Sequence, residues 1–190
     1  MSKKNIIYVS VDMEADGPTP GENSMLSLGA DARLPDGTKL GTFSENLLEL
    51  PNATMAESAV RWWAQHPQAW QATRIAQADP YWVMLRFAAW VKHLETTLNA
   101  EAVFVAYPVS FDFDYVRYYS RRFLRLDIFE GRCVDMRSMA MGILGVDYNA
   151  ANKAHMPPEW DAMAPMTHIA VEDATQQADL FFTMLAASRT

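Results

Sequence analysis

Cysteine is nearly absent from this sequence: Cys133 is the only one among 190 residues. A lone thiol cannot close an intramolecular disulfide, and nothing else points to an oxidising compartment, so a reduced, intracellular setting is expected. Positive charge is also scarce. Sixteen Lys and Arg stand against 23 Asp and Glu, a formal net charge of −7. Broad attraction to a phosphate backbone relies on basic surface, so the balance argues against it; any pull on phosphate must be local. Carboxylates holding divalent ions would supply such a pull, because bound cations invert the sign of the field where phosphate sits. Long apolar runs are missing too. Asp12 interrupts the first one, Ile6 to Val11, too early for a signal peptide or membrane span, so a soluble, cytoplasmic protein with no membrane partner is expected. There is no internal repeat and no low-complexity tract.

What is present is a globular composition, 50% hydrophobic and 21% charged, in a chain whose length suits one domain spanning 1–190 with a genuine core. Ile6-Ile7-Tyr8-Val9-Ser10-Val11 is β-branched and apolar on both faces, as a central strand under helices would be. Two further strands are expected over 25–30 and 41–47, separated by Leu34-Pro35-Asp36-Gly37-Thr38, whose Asp-Gly pair signals a hairpin. Helical periodicity follows over 55–63 and 81–98. Ala102 to Tyr107 reads as another buried strand, leading into a helix that starts near Ser110 as N-cap. A short strand is expected around Cys133-Val134-Asp135, then an ordered loop over 149–165 rich in proline, then a last helix from near His168 to about Ala187. The order implies a mixed α/β sheet with helices on its faces.

Three groups of residues carry chemistry. Asp12 and Glu14 end the first strand, and positions two apart on a strand share a face, so two carboxylates converge. Divalent cations would turn their repulsion into binding, although a solvated strand end is the plain alternative for this pair alone. Asp112 and Asp114 follow the second buried strand, where either is also explained as a helix N-terminal acid. His168 precedes Asp173 in Met166-Thr167-His168-Ile169-Ala170-Val171-Glu172-Asp173; alone, the histidine reads more readily as a surface or capping group than as a catalyst.

The ordered set Asp-x-Glu, Phe-Asp and His-x4-Asp, running from Val11 to about Leu180, resembles the three motifs of the DEDDh 3′→5′ exonucleases. That family of the ribonuclease H-like superfamily includes oligoribonuclease, ribonuclease T and the proofreading subunits of DNA polymerases. The resemblance implies a mixed five-stranded sheet with helices on both faces, forming a single exonuclease domain. It implies that Asp12, Glu14, Asp112 and Asp173 hold two Mg2+ or Mn2+ ions and that His168 is the general base. Asp112 is preferred to Asp114 because the family's aspartate directly follows a phenylalanine, here Phe111. Substrate contacts are expected from Met13, Phe111 and Trp63, the last in a Trp62-Trp63 pair that looks like one phage and bacterial exoribonuclease branch. One of these indoles would stack on a base and the other pack in the core. His66, His93 and His155 receive no role.

The chain departs from the family where Glu14 is followed by Ala15-Asp16-Gly17-Pro18 instead of two threonines and a glycine, and where Tyr107-Pro108 replaces a His-Asn pair. Both changes concern substrate contacts rather than the acids. The expected partner is single-stranded nucleic acid, which the acidic charge favours over long duplex, with RNA expected over DNA, and a homodimer is an expectation from relatives. A metal-dependent phosphomonoesterase using Asp12 as nucleophile, and a catalytically silent nucleic-acid-binding module, are the competing readings.

Overall fold

The computed structural model describes residues 5–163 and 165–189. Five strands form one mixed sheet: β1 (Asn5–Ala15), β2 (Met25–Arg33), β3 (Lys39–Asn46), β4 (Ala100–Ala106) and β5 (Cys133–Asp135), in the order β3-β2-β1-β4-β5. The first three make the expected antiparallel meander, and β1–β4 and β4–β5 pair in parallel. The turn between β2 and β3 closes through the Gly37 N–H donating to the Leu34 carbonyl, with Gly37 at φ +89°.

Helices cover both faces, as expected. Odd residues of β1, Ile7, Val9, Val11 and Met13, bury into a core with α3 (Pro80–Leu98) and α4 (Val109–Leu124). Tyr8, on the alternate side, packs with α5 (Met136–Leu144) and α6 (Ala170–Ala187). Strand alternation therefore sends Asp12 and Glu14 to the α6 side. Two short helices follow β3: α1 (Glu57–Trp63), whose Trp63 bonds to Ala15 at the end of β1, and α2 (Pro67–Thr73), whose Ala72 carbonyl accepts from Asn46; α2 and α5 were not expected from the sequence.

Three boundaries differ from the sequence reading. α4 starts at Val109 with Pro108 before it, so Ser110 lies inside the first turn and caps nothing; the Val109 N–H goes instead to Asp135 Oδ2 at 2.8 Å. α6 starts at Ala170, leaving His168 outside the helix at φ 57°. The 149–165 segment contains two 3-10 turns, Lys153–His155 and Pro158–Trp160, and buries Ala151, Met156, Trp160 and Ala162 against α5 and α6, so it is packed along its described length.

Two residues set how close α6 comes. Gly29, paired with Asp12 across β1–β2, lies so near α6 that an added Cβ would sit 2.2 Å from the Ala170 and Val171 backbone. Only glycine permits that approach. Gln177 fills the gap where β1 and β4 part beyond Ser10↔Val105: its Nε2 donates to Ser10 Oγ (3.0 Å), Val11 O (3.0 Å) and Val105 O (3.3 Å), and its Oε1 accepts from Tyr107 N (2.9 Å). No helix among the described residues is long and apolar enough to cross a membrane.

Replacing Gln177 by Leu keeps the volume but strands these buried backbone groups, each worth about 1–3 kcal/mol when unpaired. Urea denaturation is expected to show a loss of that order or more; unchanged stability would mean α6 is held by apolar packing alone.

Candidate active site

β1 loses its β4 partner after Ser10, which exposes one edge of the strand, and the Met13 N–H on that edge is taken by Asp112 Oδ1 at 3.1 Å. Asp112 thereby enters the site between the two β1 acids. Its helix is fastened by Tyr115, whose hydroxyl donates to Gly17 O at 2.6 Å, and by Tyr119, whose hydroxyl accepts from Met25 N at 2.7 Å. Asp112, Tyr115 and Tyr119 follow helical spacing and share the buried face of α4. Asp114 points the other way and is exposed.

Asp173, in the first turn of α6 and 3% exposed, is bound by the chain that precedes its own helix. Its Oδ1 accepts from Thr167 N (2.9 Å) and Thr167 Oγ1 (3.3 Å), and its Oδ2 from His168 N (2.8 Å). These bonds hold His168 in the left-handed region, which for a non-glycine residue costs about 1–3 kcal/mol. The backbone turned this way brings His168 Nδ1 to 4.0 Å from Glu14 Oε1. Among the described residues, ligand atoms of Glu14, His168 and Asp173 lie within 4.8 Å of one another, a spacing that suits a cation. Asp12 and Asp112 stand outside that set of three, yet their charges act on the same groups.

Burial and crowding together raise the acids. Desolvation, then Asp112, Glu14 and Asp173, push the Asp12 carboxyl well above its ordinary value. Burial, Asp173 and Asp112 push Glu14 up to about 8. Burial lifts Asp112 to about 7 against the opposing Met13 N–H. His168 moves down, through burial and the neighbouring His66. A site whose carboxylates resist ionisation in the absence of counter-charge is one that divalent cations fit, and an oxygen-rich donor set favours hard ions such as Mg2+ and Mn2+.

Two contributors went unseen in the sequence. Lys153 lies within the field of Asp12, Asp173 and Asp112, its own pKa lowered by burial, with Nζ 5.4 Å from the Tyr107 ring centroid. It sits in a segment without periodicity, so nothing in the sequence pointed to it. His66 meets His168 ring to ring at 4.6 Å; its neighbourhood to the Trp pair was the only available signal.

Beside Glu14 opens a largely apolar hollow of about 330 Å³, walled by Gly17, Pro18, Ala59, Trp62, Trp63 and Phe111. Phe111, 39% exposed, stands at its rim. Trp63 lends only part of its surface, since it is buried with Leu26 and Ala69 and its Nε1 donates to Ala15 O at 3.1 Å. Trp62 is the more accessible indole. Met13 does not reach the hollow: its side chain lies in the main core, because odd positions of β1 point away from α6.

No family model matches the chain. Over 177 residues it is 27% identical to the 3′-5′ DNA exonuclease Cap18 of Escherichia coli, covering 92% of this chain and 89% of that protein. Its fold matches the nuclease domain of 3′hExo, described as a DEDDh family member bound to rAMP, with a TM-score of 0.73 at 13% identity over 97% of this chain and 94% of that one. E. coli ExoI in its zinc-bound complex with single-stranded DNA gives a TM-score of 0.63 at 16% identity, over 98% of this chain but only 41% of the larger enzyme.

The raised acids give stability a pH dependence of definite sign. A carboxyl whose folded pKa exceeds its unfolded value favours the fold while protonated; for Glu14 that contribution is full below about 4.5 and lost as pH rises through about 8. His168 acts in the opposite sense, but it is one group against three. In chelator-treated protein the melting temperature is expected to fall across this range, and Mn2+ to reverse most of the fall. A melting temperature insensitive to both would show that these carboxylates do not share one pocket.

Proposed function

We propose that this member of the DEDDh 3′→5′ exonuclease family hydrolyses the terminal phosphodiester of single-stranded nucleic acid and releases nucleoside 5′-monophosphates one at a time. The observation that carries the reading is the meeting of Asp12, Glu14, Asp112 and Asp173, drawn from three separate elements, in a corner where burial opposes the charge of the first three. Such an arrangement is costly to a fold unless cations use it.

In this reading the four acids hold two Mg2+ or Mn2+ ions. When bound, such ions offset charge on the scissile phosphate and make water more acidic. Asp112 and Asp173 reach the cluster with backbone N–H groups already bound, so their remaining lone pairs have fixed directions. His168 accepts the proton of the attacking water at a ring nitrogen. Its downward-shifted pKa keeps the imidazole neutral near pH 7, with a ring lone pair free to take a proton. The terminal base enters the hollow beside Glu14, where Trp62, Trp63 and Phe111 offer ring faces and edges; stacking of this kind contributes about 1–3 kcal/mol per base.

A second reading of one residue is favoured by the 4.8 Å grouping of Glu14, His168 and Asp173: the imidazole as a ligand rather than a base. Mutation separates the two. The phosphomonoesterase reading gains no support, since it gives no reason for Asp173 and His168 to join Asp12. The acidic net charge favours short or single-stranded substrates of either sugar; the RNA expected from the sequence stands against the E. coli relative, which is a DNA exonuclease.

Strands of RNA and DNA labelled at either end are expected to be shortened from the 3′ terminus only, and only with Mn2+ or Mg2+. Asp12→Ala is expected to abolish this while folding is retained; unchanged turnover in that variant would reject the two-metal assignment. His168→Ala is expected to lower kcat by about 10²–10⁴-fold, the usual contribution of a positioned base, with Mn2+ affinity preserved in calorimetry. Collapse of Mn2+ affinity would make His168 a ligand.

A further inference from the structure

A base that must meet one water molecule needs its ring held in one orientation, because displacement by about 1 Å can cost on the order of 10²-fold in rate. Polar contacts do not hold the His168 ring. Among the described residues its imidazole makes no hydrogen bond, and Glu14 Oε1, at 4.0 Å, lies beyond hydrogen-bond reach. The backbone bond from His168 N to Asp173 fixes the main chain but leaves the side-chain torsions free.

The ring is enclosed by aromatics instead. Trp62 meets it edge-on, with centroids 4.7 Å apart at 81°, and His66 meets it at 4.6 Å and 73°. These two neighbours support each other: the His66 ring stacks on Trp62 at 4.2 Å and 29°, and its Nδ1 lies 2.9 Å from Trp62 O. Trp62 leans edge-on against Trp63 at 4.6 Å, and Trp63 is bonded to Ala15 O on β1, next to Glu14. A continuous line of rings thus runs from the acid-bearing strand to His168.

His66 is well placed to end that line. It occupies the junction of α1 and α2, where its N–H donates to Trp63 O at 3.0 Å, its carbonyl accepts from Trp70 N at 2.9 Å, and Pro67 follows. Unlike Trp62, it does not line the hollow.

We propose that His66 is a positioning residue, whose ring, stacked on Trp62, forms the wall that keeps the His168 imidazole turned toward Glu14. This rests on His168 being the base. The positioning role belongs to the flat ring; the charge through which His66 lowers the His168 pKa is a separate influence, which His66→Phe removes while keeping the wall. Substrate affinity and metal affinity should therefore be untouched, and only the chemical step should suffer when the ring is removed.

The test compares wild type, His168→Ala, His66→Ala, His66→Gln and His66→Phe in Mn2+-dependent degradation of an end-labelled single-stranded oligonucleotide, with Mn2+ binding and melting temperature measured on each. His66→Ala and His66→Gln are expected to lower kcat by about tenfold or more, with KM and Mn2+ affinity within about twofold of wild type. His66→Phe, which keeps the stack and loses the nitrogens, is expected to restore most of the rate. Should Ala fail to fold, the contrast of Gln against Phe decides alone. Wild-type kcat in the Gln variant overturns the proposal, as does a Phe variant no faster than Gln, which would assign the role to a nitrogen. A drop in Mn2+ affinity that matches the loss of kcat overturns it as well. Failure of the underlying reading looks different: His168→Ala would then either turn over as fast as wild type or lose its Mn2+ affinity, and the His66 role would fall with it.

Discussion

The constraint on which the structure turns is repulsion among carboxylates that the fold forces together out of water. Asp12 and Glu14 arrive on one strand, Asp112 on a helix behind its edge and Asp173 on a helix across its face. No Lys or Arg forms an ion pair with any of the four among the described residues; Lys153 contributes only through its field. The surrounding packing must therefore supply the free energy that keeps the acids together. Gly29 lets α6 approach, Gln177 bonds it to two strands, Tyr115 bonds α4 to the β1–β2 connection and Tyr119 bonds it to the first residue of β2. Much of the polar satisfaction in the core of this protein serves to position charge rather than to maximise stability, which is a common arrangement at functional sites.

Sequence patterns disclosed the elements that are long and strongly periodic. β1 and β2 were visible as apolar β-branched or alternating runs, α3 as a long amphipathic segment, and the hairpin through Asp36-Gly37. α2 and α5 were not, because each is short and its apolar residues also suit a loop. The start of α6 was misplaced by two residues for a specific reason. Thr167 and His168 carry polar groups typical of a cap, but here the capping direction is reversed: Asp173 inside the helix accepts from the backbone ahead of it. His168 is thereby freed from the helix to face Glu14.

At the site itself, the strand period of two was enough to pair Asp12 with Glu14, while Asp112 was preferred to Asp114 only through the resemblance; the structure buries the first and exposes the second. What spacing could not supply was everything that depends on the approach of distant segments. Lys153, His66 and the division of labour between Trp62 and Trp63 are tertiary facts. Met13 shows the converse: a substrate contact was expected of it, whereas alternation commits its side chain to the core and its N–H is taken by Asp112.

β1 is paired along both edges from Tyr8 to Ser10, along the β2 edge as far as Ala15, and covered on both faces, which limits how homologous chains can vary in length. Inserting or deleting one residue between Tyr8 and Glu14 would exchange the two sides of the strand, turning the acids into the α3–α4 core and carrying Val11 and Met13 toward α6. The irregularity between Glu14 and Ala15 marks the first place where the ladder to β2 tolerates a change of register. Indels in divergent homologues should accordingly collect after that point, in the loop that leads to Met25, while the stretch before it keeps its residue count however far the side chains drift.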